Sequence, residues 1–244
     1  DFSLTGEQDV FSFKIFNGVR DVQAKIDFDY YPNPNHFIRF GANVIHHRFT
    51  PNVINGRSGE VQFTNDYQPK YGIESAIYVQ DEIKLTRSLT VNAGLRISKF
   101  NQTGPYKSGD KIYSDFETIK AFSSLEPRLL STLLLTPSTS IKFGYSKNAQ
   151  YSHLVSNSAS TLPTDVWVPS STIVNPQIGH QWALGYFKSL KNGSWNFSAE
   201  GFYKIMQAMG VDIVFNHADY RLMSKTVLDA LSEYKEVNLF LRGI

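Results

Sequence analysis

Ile73-Glu74-Ser75-Ala76-Ile77-Tyr78-Val79-Gln80-Asp81-Glu82-Ile83-Lys84 and Leu89-Thr90-Val91-Asn92-Ala93-Gly94-Leu95-Arg96-Ile97-Ser98 decide the fold. In the second run Leu89, Val91, Ala93, Leu95 and Ile97 alternate with Thr90, Asn92, Gly94, Arg96 and Ser98. In the first, Ile73, Ile77, Val79 and Ile83 stand against Glu74, Gln80, Glu82 and Lys84. Successive side chains of a strand point to opposite faces, so a period of two makes one apolar and one polar face. Only Arg87-Ser88 separates the two runs, which is the spacing of a tight hairpin.

The same pattern extends in both directions. Val22, Ala24, Ile26, Phe28 and Tyr30 alternate with Gln23, Lys25, Asp27 and Asp29. After Pro32-Asn33-Pro34-Asn35 come Ile38, Phe40, Ala42 and Val44, which the alternation sets beside the first group on one face. Leu129 to Leu135 turns at Pro137-Ser138 into Ile141, Phe143 and Tyr145. Trp182, Leu184 and Tyr186 precede an Asn192-Gly193 turn, and Trp195, Phe197, Ala199, Gly201 and Tyr203 follow it. The count is about eight strands of roughly 10 to 14 residues.

Connection lengths alternate too: short at 32–36, 87–88, 137–138 and 191–193, and long at 50–72, 101–123 and 150–179. Tight turns on one side and long loops on the other predict part of a transmembrane outer-membrane β-barrel, an antiparallel meander. Lys25, Asp27, Arg39, Glu74, Glu82, Arg96, Lys142 and Glu200 then face a wet lumen. Tyr30, Tyr31, Phe49, Trp195 and Tyr203 are candidates for the interfacial aromatic girdle. A soluble β-sandwich also alternates, but its strands average about five or six residues.

Composition agrees. The 244 residues are 41% hydrophobic and 14% aromatic, with a mean hydropathy of −0.26, so large side chains alternate with polar ones. No apolar run is long enough for a membrane-spanning helix. The net charge of +2 comes from well-mixed charges and argues against a nucleic-acid partner. The absence of cysteine excludes disulfide frameworks, thiolate metal sites and cysteine nucleophiles. The first residue is Asp, with no leader pattern after it, as in a mature or truncated sequence.

Ala76-Ile77-Tyr78-Val79-Gln80-Asp81-Glu82 and Leu89-Thr90-Val91-Asn92-Ala93-Gly94-Leu95-Arg96 resemble the "YxQDE … LTLNAGLR" hairpin of TonB-dependent outer-membrane receptors. Glu126-Pro127-Arg128-Leu129, Gln150-Tyr151-Ser152-His153-Leu154, Leu162 to Ser170, Pro176-Gln177 and Glu200-Gly201-Phe202-Tyr203-Lys204 are similar to receptors of the Bacteroidetes type. The resemblance runs from about residue 10 to about 206. It implies a bacterial cell outer-membrane location and contact with outer-membrane lipid. It also implies nutrient import powered by the TonB energy-transducing complex, which acts through a plug. This chain has no plug and no TonB box, so the expectation is a receptor fragment, not import-competent alone and not an enzyme.

From about Ala208 the period changes. Met223, Val227, Ala230, Leu231 and Tyr234 fall at helical spacing, which predicts a helix over about 219–235 with Asp219 near its start. Val211 to Ser224, with Glu236-Val237-Asn238-Leu239-Phe240-Leu241-Arg242-Gly243-Ile244, resembles glycosyltransferase family 2 enzymes acting on polyprenyl phosphate. The chain therefore reads as a partial receptor barrel over 1–206 and a transferase-like, helical segment over 207–244. Phe202-Tyr203-Lys204 is common to both resemblances, and a fused reading frame is the expectation. His217, Asp219, Arg221 and Arg242 match the transferase block, but the donor-binding core that would complete their site lies upstream in that family. The alternative function is accordingly a glycosyltransferase fragment.

Few residues point to a site. The long loop at 150–179 carries His153, Asp165 and Trp167 among Ser, Thr and Asn, and is the candidate ligand-binding outer loop. His46-His47 cannot share a metal from one strand, because adjacent residues face opposite ways. Asp27 and Asp29 share a face but no third group converges on them, so a lumen-facing acidic pair is expected. No cofactor, no metal and no catalytic residue is expected.

Overall fold

The computed structural model describes residues 2–8, 11–58, 60–64, 67–155, 166–190 and 195–207. β1 (Phe2–Gln8), β2 (Phe11–Asn33) and β3 (His36–Ser58) are followed by a short β4 (Val61–Thr64). Next come β5 (Lys70–Lys84), β6 (Leu89–Thr103), the small β7 (Tyr106–Ser108) and β8 (Lys111–Tyr113), then β9 (Thr118–Thr136) and β10 (Thr139–Gln150). β11 (Ser152–Val155) and β12 (Val166–Pro169) form a hairpin before β13 (Gln177–Leu190) and β14 (Trp195–Gln207). The main sheet runs β1-β2-β3-β5-β6-β9-β10-β13-β14, and all its pairings are antiparallel. β4 adds to β3, while β7-β8 and β11-β12 are separate ribbons within the long connections.

The eight expected strands are β2, β3, β5, β6, β9, β10, β13 and β14. Two of them are longer than the alternation indicates: β2 and β3 are 23 residues each, because their pairing continues well past the apolar stretch. Within the main sheet the tightest described turns are Pro34-Asn35 and Pro137-Ser138, each two residues between paired strands, and not Arg87-Ser88. There Leu85 and Thr86 also leave the ladder, and the Thr86 hydroxyl accepts from the Ser88 and Leu89 amides. The Asn192-Gly193 turn lies outside the described residues, as does the expected helix over 219–235.

Register sorts the side chains cleanly. Ala24 pairs with Val44, Ile26 with Ala42, Phe28 with Phe40 and Tyr30 with Ile38. The row continues from Ala42 to Ile77, Ile97 and Leu125, and from Phe40 to Val79, Leu95 and Pro127. Farther along, Phe143 pairs with Leu184 and Tyr145 with Trp182. These apolar side chains are exposed: Val22 is 62%, Ile77 60% and Leu184 60% accessible. A contiguous apolar face of this size is not left to water; it is the face that hydrocarbon covers.

Aromatic rings bound the band at both ends. Tyr30 lies near the Pro34-Asn35 turn, and Trp195 opens β14 at the same end of the sheet. At the long-loop end Tyr145, Trp182 and Tyr203 form a row with centroid separations of 5.3 and 5.8 Å, and His46 stacks on Tyr71 at 5.9 Å. Trp195 and Tyr203 are eight residues apart on β14, about 26 Å along a strand, or about 20 Å across the membrane once tilted, most of an apolar band of about 25 Å. Phe49 departs from the expected girdle. It is 1% exposed and stacks on His47, on the opposite face.

The other face carries the polar set. Arg96 pairs with Tyr78 and Glu126 across the ladder, and Glu200 with Gly185. Lys25 Nζ lies 2.8 Å from Asp27, and Arg39 holds Asp29 through two hydrogen bonds of 2.7 and 2.9 Å. The expected acidic pair is thus neutralised from its own face.

Placing a cation at Ile77→Arg, in the middle of the apolar band, is expected to cost about 2–4 kcal/mol, whereas Gln80→Arg on the polar face costs under about 1 kcal/mol. Denaturant unfolding in lipid vesicles measures both, and the order reverses if water covers the face carrying Ile77.

Candidate functional site

The β11–β12 hairpin joins neighbouring strands β10 and β13, yet β12 packs against β2, β3 and β5 on the far side of β9 and β6. It therefore crosses the sheet rather than extending it. The face it crosses is the polar one, because Tyr151 at its root meets Ser98 and Phe100.

Tyr151 is the centre of that contact. It is 2% exposed, and its ring stacks on Phe100 at 5.2 Å with only 8° between planes. Its hydroxyl lies 2.8 Å from Ser98 Oγ, which is also bonded to Glu126 Oε1. A carboxylate oxygen accepts, so the Ser98 hydroxyl donates to Glu126 and receives the proton of Tyr151. Ser98 and Glu126 are diagonal neighbours on β6 and β9, at 1% and 3% exposure, and burial of this relay leaves it no water to compete with. Burial also raises the Tyr151 pKa above the ordinary phenol value.

Backbone and glycine chemistry complete the seat. The Ser170 amide donates to the Tyr151 carbonyl at 2.7 Å, and His153 Nε2 lies 2.9 Å from Ser170 Oγ. Phe100 reaches over β5 at Gly72, where an added Cβ would stand 2.5 Å from Phe100 Cζ. Only a residue without a side chain admits the ring there. Beside Phe100, His47 bonds Asp21 at 2.8 Å, and Glu74 approaches both His47, at 3.8 Å, and Arg96, at 3.4 Å.

A recess of about 410 Å³ opens against the Tyr151 wall, lined among others by Glu74, Gln150, Gln177, Gln181 and Lys204. Its side chains hydrogen-bond and carry one charge of each sign, which suits holding a polar solute; nothing there has the nucleophile and base arrangement of catalysis.

Of the expected loop residues, His153 is buried at 8% and faces Ser170, while Trp167 is 39% exposed and paired with Leu154 on the other side of the hairpin. The hairpin brings them close in the ladder but on opposite faces. Asp165 lies outside the described residues, as do His217, Asp219, Arg221 and Arg242. His46 and His47 take opposite faces, the first among Tyr71 and Phe116, the second with Asp21. Tyr151, Ser98, Glu126 and Gly72 were not singled out as a site. An aromatic residue directly after a strand, in a polar segment, is the one local signal for Tyr151; nothing local marks Gly72.

The family model for the TonB dependent receptor-like β-barrel matches residues 2–207. The chain belongs to that family. As a TonB-dependent receptor barrel segment it is an outer-membrane protein, and solved receptors share its fold. The ferric yersiniabactin uptake receptor FyuA from Yersinia pestis superposes with a TM-score of 0.54 at 12% identity, over 86% of this chain and 32% of that one. The alcaligin outer-membrane receptor FauA from Bordetella pertussis gives 0.52 at 12% identity, over 98% and 36%. The FrpB iron transporter from Neisseria meningitidis gives 0.51 at 9%, over 81% and 32%. The chain thus spans about a third of the length of these receptors. A different relative, the uncharacterized glycosyltransferase YkoT from Bacillus subtilis, is 38% identical over 85 residues, 34% of this chain and 25% of that protein. That match is longer than residues 208–244, so it is not confined to the transferase-like tail.

Two outcomes follow for the receptor segment. Gly72→Val displaces Phe100 and unseats Tyr151, so amides of β11 and β12 lose protection from hydrogen exchange while those of β13 and β14 keep theirs. Tyr151→Phe, which keeps the stack and removes one donor, weakens the same seat by about 0.5–1.5 kcal/mol. The second outcome is a pH dependence. Burial holds the His153 imidazole below the usual histidine range, so the unfolded hairpin binds a proton at a higher pH than the docked one. The contribution to docking is complete above about pH 6.5 and falls as pH drops through the lower native value. Exchange rates of the β11 and β12 amides, corrected for intrinsic pH effects, rise below that point, and His153→Gln removes the rise.

Proposed function

We propose that this chain is an arc of the wall of an outer-membrane importer, and that its hairpin-covered polar face contacts the nutrient on the way in. The observation that carries the reading is the inversion of the sheet: a continuous aliphatic band outward, and ion pairs with a buried polar relay inward. The importer's energy would come from the TonB complex acting through a plug, as the family resemblance implies, so the arc by itself does not transport. His153, Asp165 and Trp167 belong to the loop proposed to meet cargo, with Trp167 as the exposed contact and His153 as its internal brace. The boundary we propose leaves 1–206 to the barrel and 207–244 to a transferase-like segment.

A second reading, a glycosyltransferase family 2 fragment, is favoured by the match to YkoT. Against it stands the antiparallel sheet over 2–207, which supplies no nucleotide-binding βαβ unit among the described residues.

Single-tryptophan variants of the full chain, reconstituted in vesicles of brominated lipid, test the first reading. Trp182 and Trp195, on the apolar face, should be quenched, and Trp167 should not. Equal quenching of all three, or of none, would defeat the barrel-wall reading. The same preparation, given nucleotide sugars and polyprenyl phosphate, should transfer no sugar above a protein-free control; transfer would establish the second reading.

A further inference from the structure

Two arginines stand directly opposite each other on the apolar face. Arg20 of β2 pairs with Arg48 of β3, two residues along from the Val22–His46 pair, and Arg48 pairs in turn with Tyr71 of β5. Both therefore lie at the long-loop end, level with the aromatic row, where hydrocarbon gives way to lipid headgroups. Directly opposed side chains have Cβ atoms about 5 Å apart, and like charges so placed repel. Among the described residues neither arginine makes an ion pair. Arg48 Nε is also buried with no hydrogen-bond partner there.

The surroundings do not supply the missing anion. Strand positions on this face within two residues of the aromatic row add Lys99 and Lys147 and, among the described residues, no carboxylate. Asp81 shares the face but lies at the short-turn end, where His36 Nδ1 holds it at 2.6 Å. Phe116, in the connection before β9, packs on His46 with ring centroids 5.9 Å apart. It is 66% exposed at a φ of 62°, a left-handed conformation that is costly for a bulky side chain. Its neighbours Asp115 and Glu117 pair with neither arginine, and the Glu117 carboxylate accepts from the Ser114 amide at 2.8 Å. Opposed guanidinium groups without a carboxylate, beside an apolar ring held outward against strain, suit a ligand with a phosphate head and an apolar tail.

We propose that Arg20 and Arg48 hold the phosphate of a membrane lipid with a negatively charged headgroup, and that Phe116 lies against the start of its acyl chains. The phosphate supplies the acceptors that the arginine pair lacks and removes their mutual repulsion. The site rests on the apolar face being the lipid face. Quenching by brominated lipid reports that orientation whatever headgroup is bound, so loss of headgroup selectivity with quenching intact overturns the site alone.

Native mass spectrometry of the full chain released from nonionic micelles counts the lipids it carries. Dioleoyl phosphatidic acid should give a saturable single adduct, about fivefold or more tighter than dioleoyl phosphatidylcholine, which has the same chains. Arg20→Gln and Arg48→Gln should each weaken that adduct about fivefold. Arg48→Glu should abolish the preference, because it gives Arg20 a carboxylate directly opposite. Lys142→Gln, on the polar face, should bind as the parent does, and circular dichroism should show the same strand content in every variant. Equal adducts of the two lipids, parental selectivity in both glutamine variants of the arginine pair, or equal weakening by Lys142→Gln would each overturn the proposal. Displacement of phosphatidic acid by millimolar inorganic phosphate would make free phosphate the ligand and overturn the assignment to lipid.

Discussion

Backbone hydrogen bonding in a medium without water is the constraint on which this structure depends. A strand in hydrocarbon has no solvent to satisfy its amides and carbonyls, so each must pair along its length with a neighbouring strand. Between its open edges at β1 and β14 the ladder does this with antiparallel pairing and only local bulges, as at Phe16/Gly18 in β2. Register then follows, because a slip of one residue would turn Ile77 and Leu95 inward and Arg96 outward. The glycine floor at Gly72, the aromatic rows and the ion pairs all lie where that register puts them.

The consequence is an inverted core. Ile77 and Leu184 are largely exposed, while the buried side chains include Ser98, Glu126, His47 and Gln102 beside Phe49, Phe100 and Tyr151. In a water-soluble sheet this distribution would be self-defeating. Here burial on the polar face comes from a hairpin folding across it, and the buried groups are polar because that face must otherwise meet water. The Tyr151–Ser98–Glu126 relay supplies a direction for every proton and, with Arg96 directly across the ladder from Glu126, lets a carboxylate remain under the hairpin.

Much of this was legible beforehand. The faces of Val22 to Tyr30, Ile73 to Ile83, Leu89 to Ile97 and Trp195 to Tyr203 follow from alternation alone, since the pleat leaves no other arrangement. The candidate site was less legible. His153 was picked out as a polar loop residue, but it braces the hairpin from inside, and Tyr151 two residues earlier makes the decisive contact. Phe49 looked like a girdle residue because it is aromatic and near a strand end; unbroken alternation along β3 puts it on the inner face with Asn43 and His47. Loops carry no period, so their burial depends on what lies opposite.

The sequence by itself determined the strands, their two faces, the short-turn and long-loop ends and the kinship to outer-membrane receptors, because each is a local consequence of alternation, turn residues or motif. Only the tertiary structure decided that β11 and β12 fold back over the polar face and that Gly72 makes room for Phe100. Those facts join residues 28 to more than 100 positions apart in the chain. No local preference encodes such meetings; they appear when pairing of whole strands brings distant rows into line.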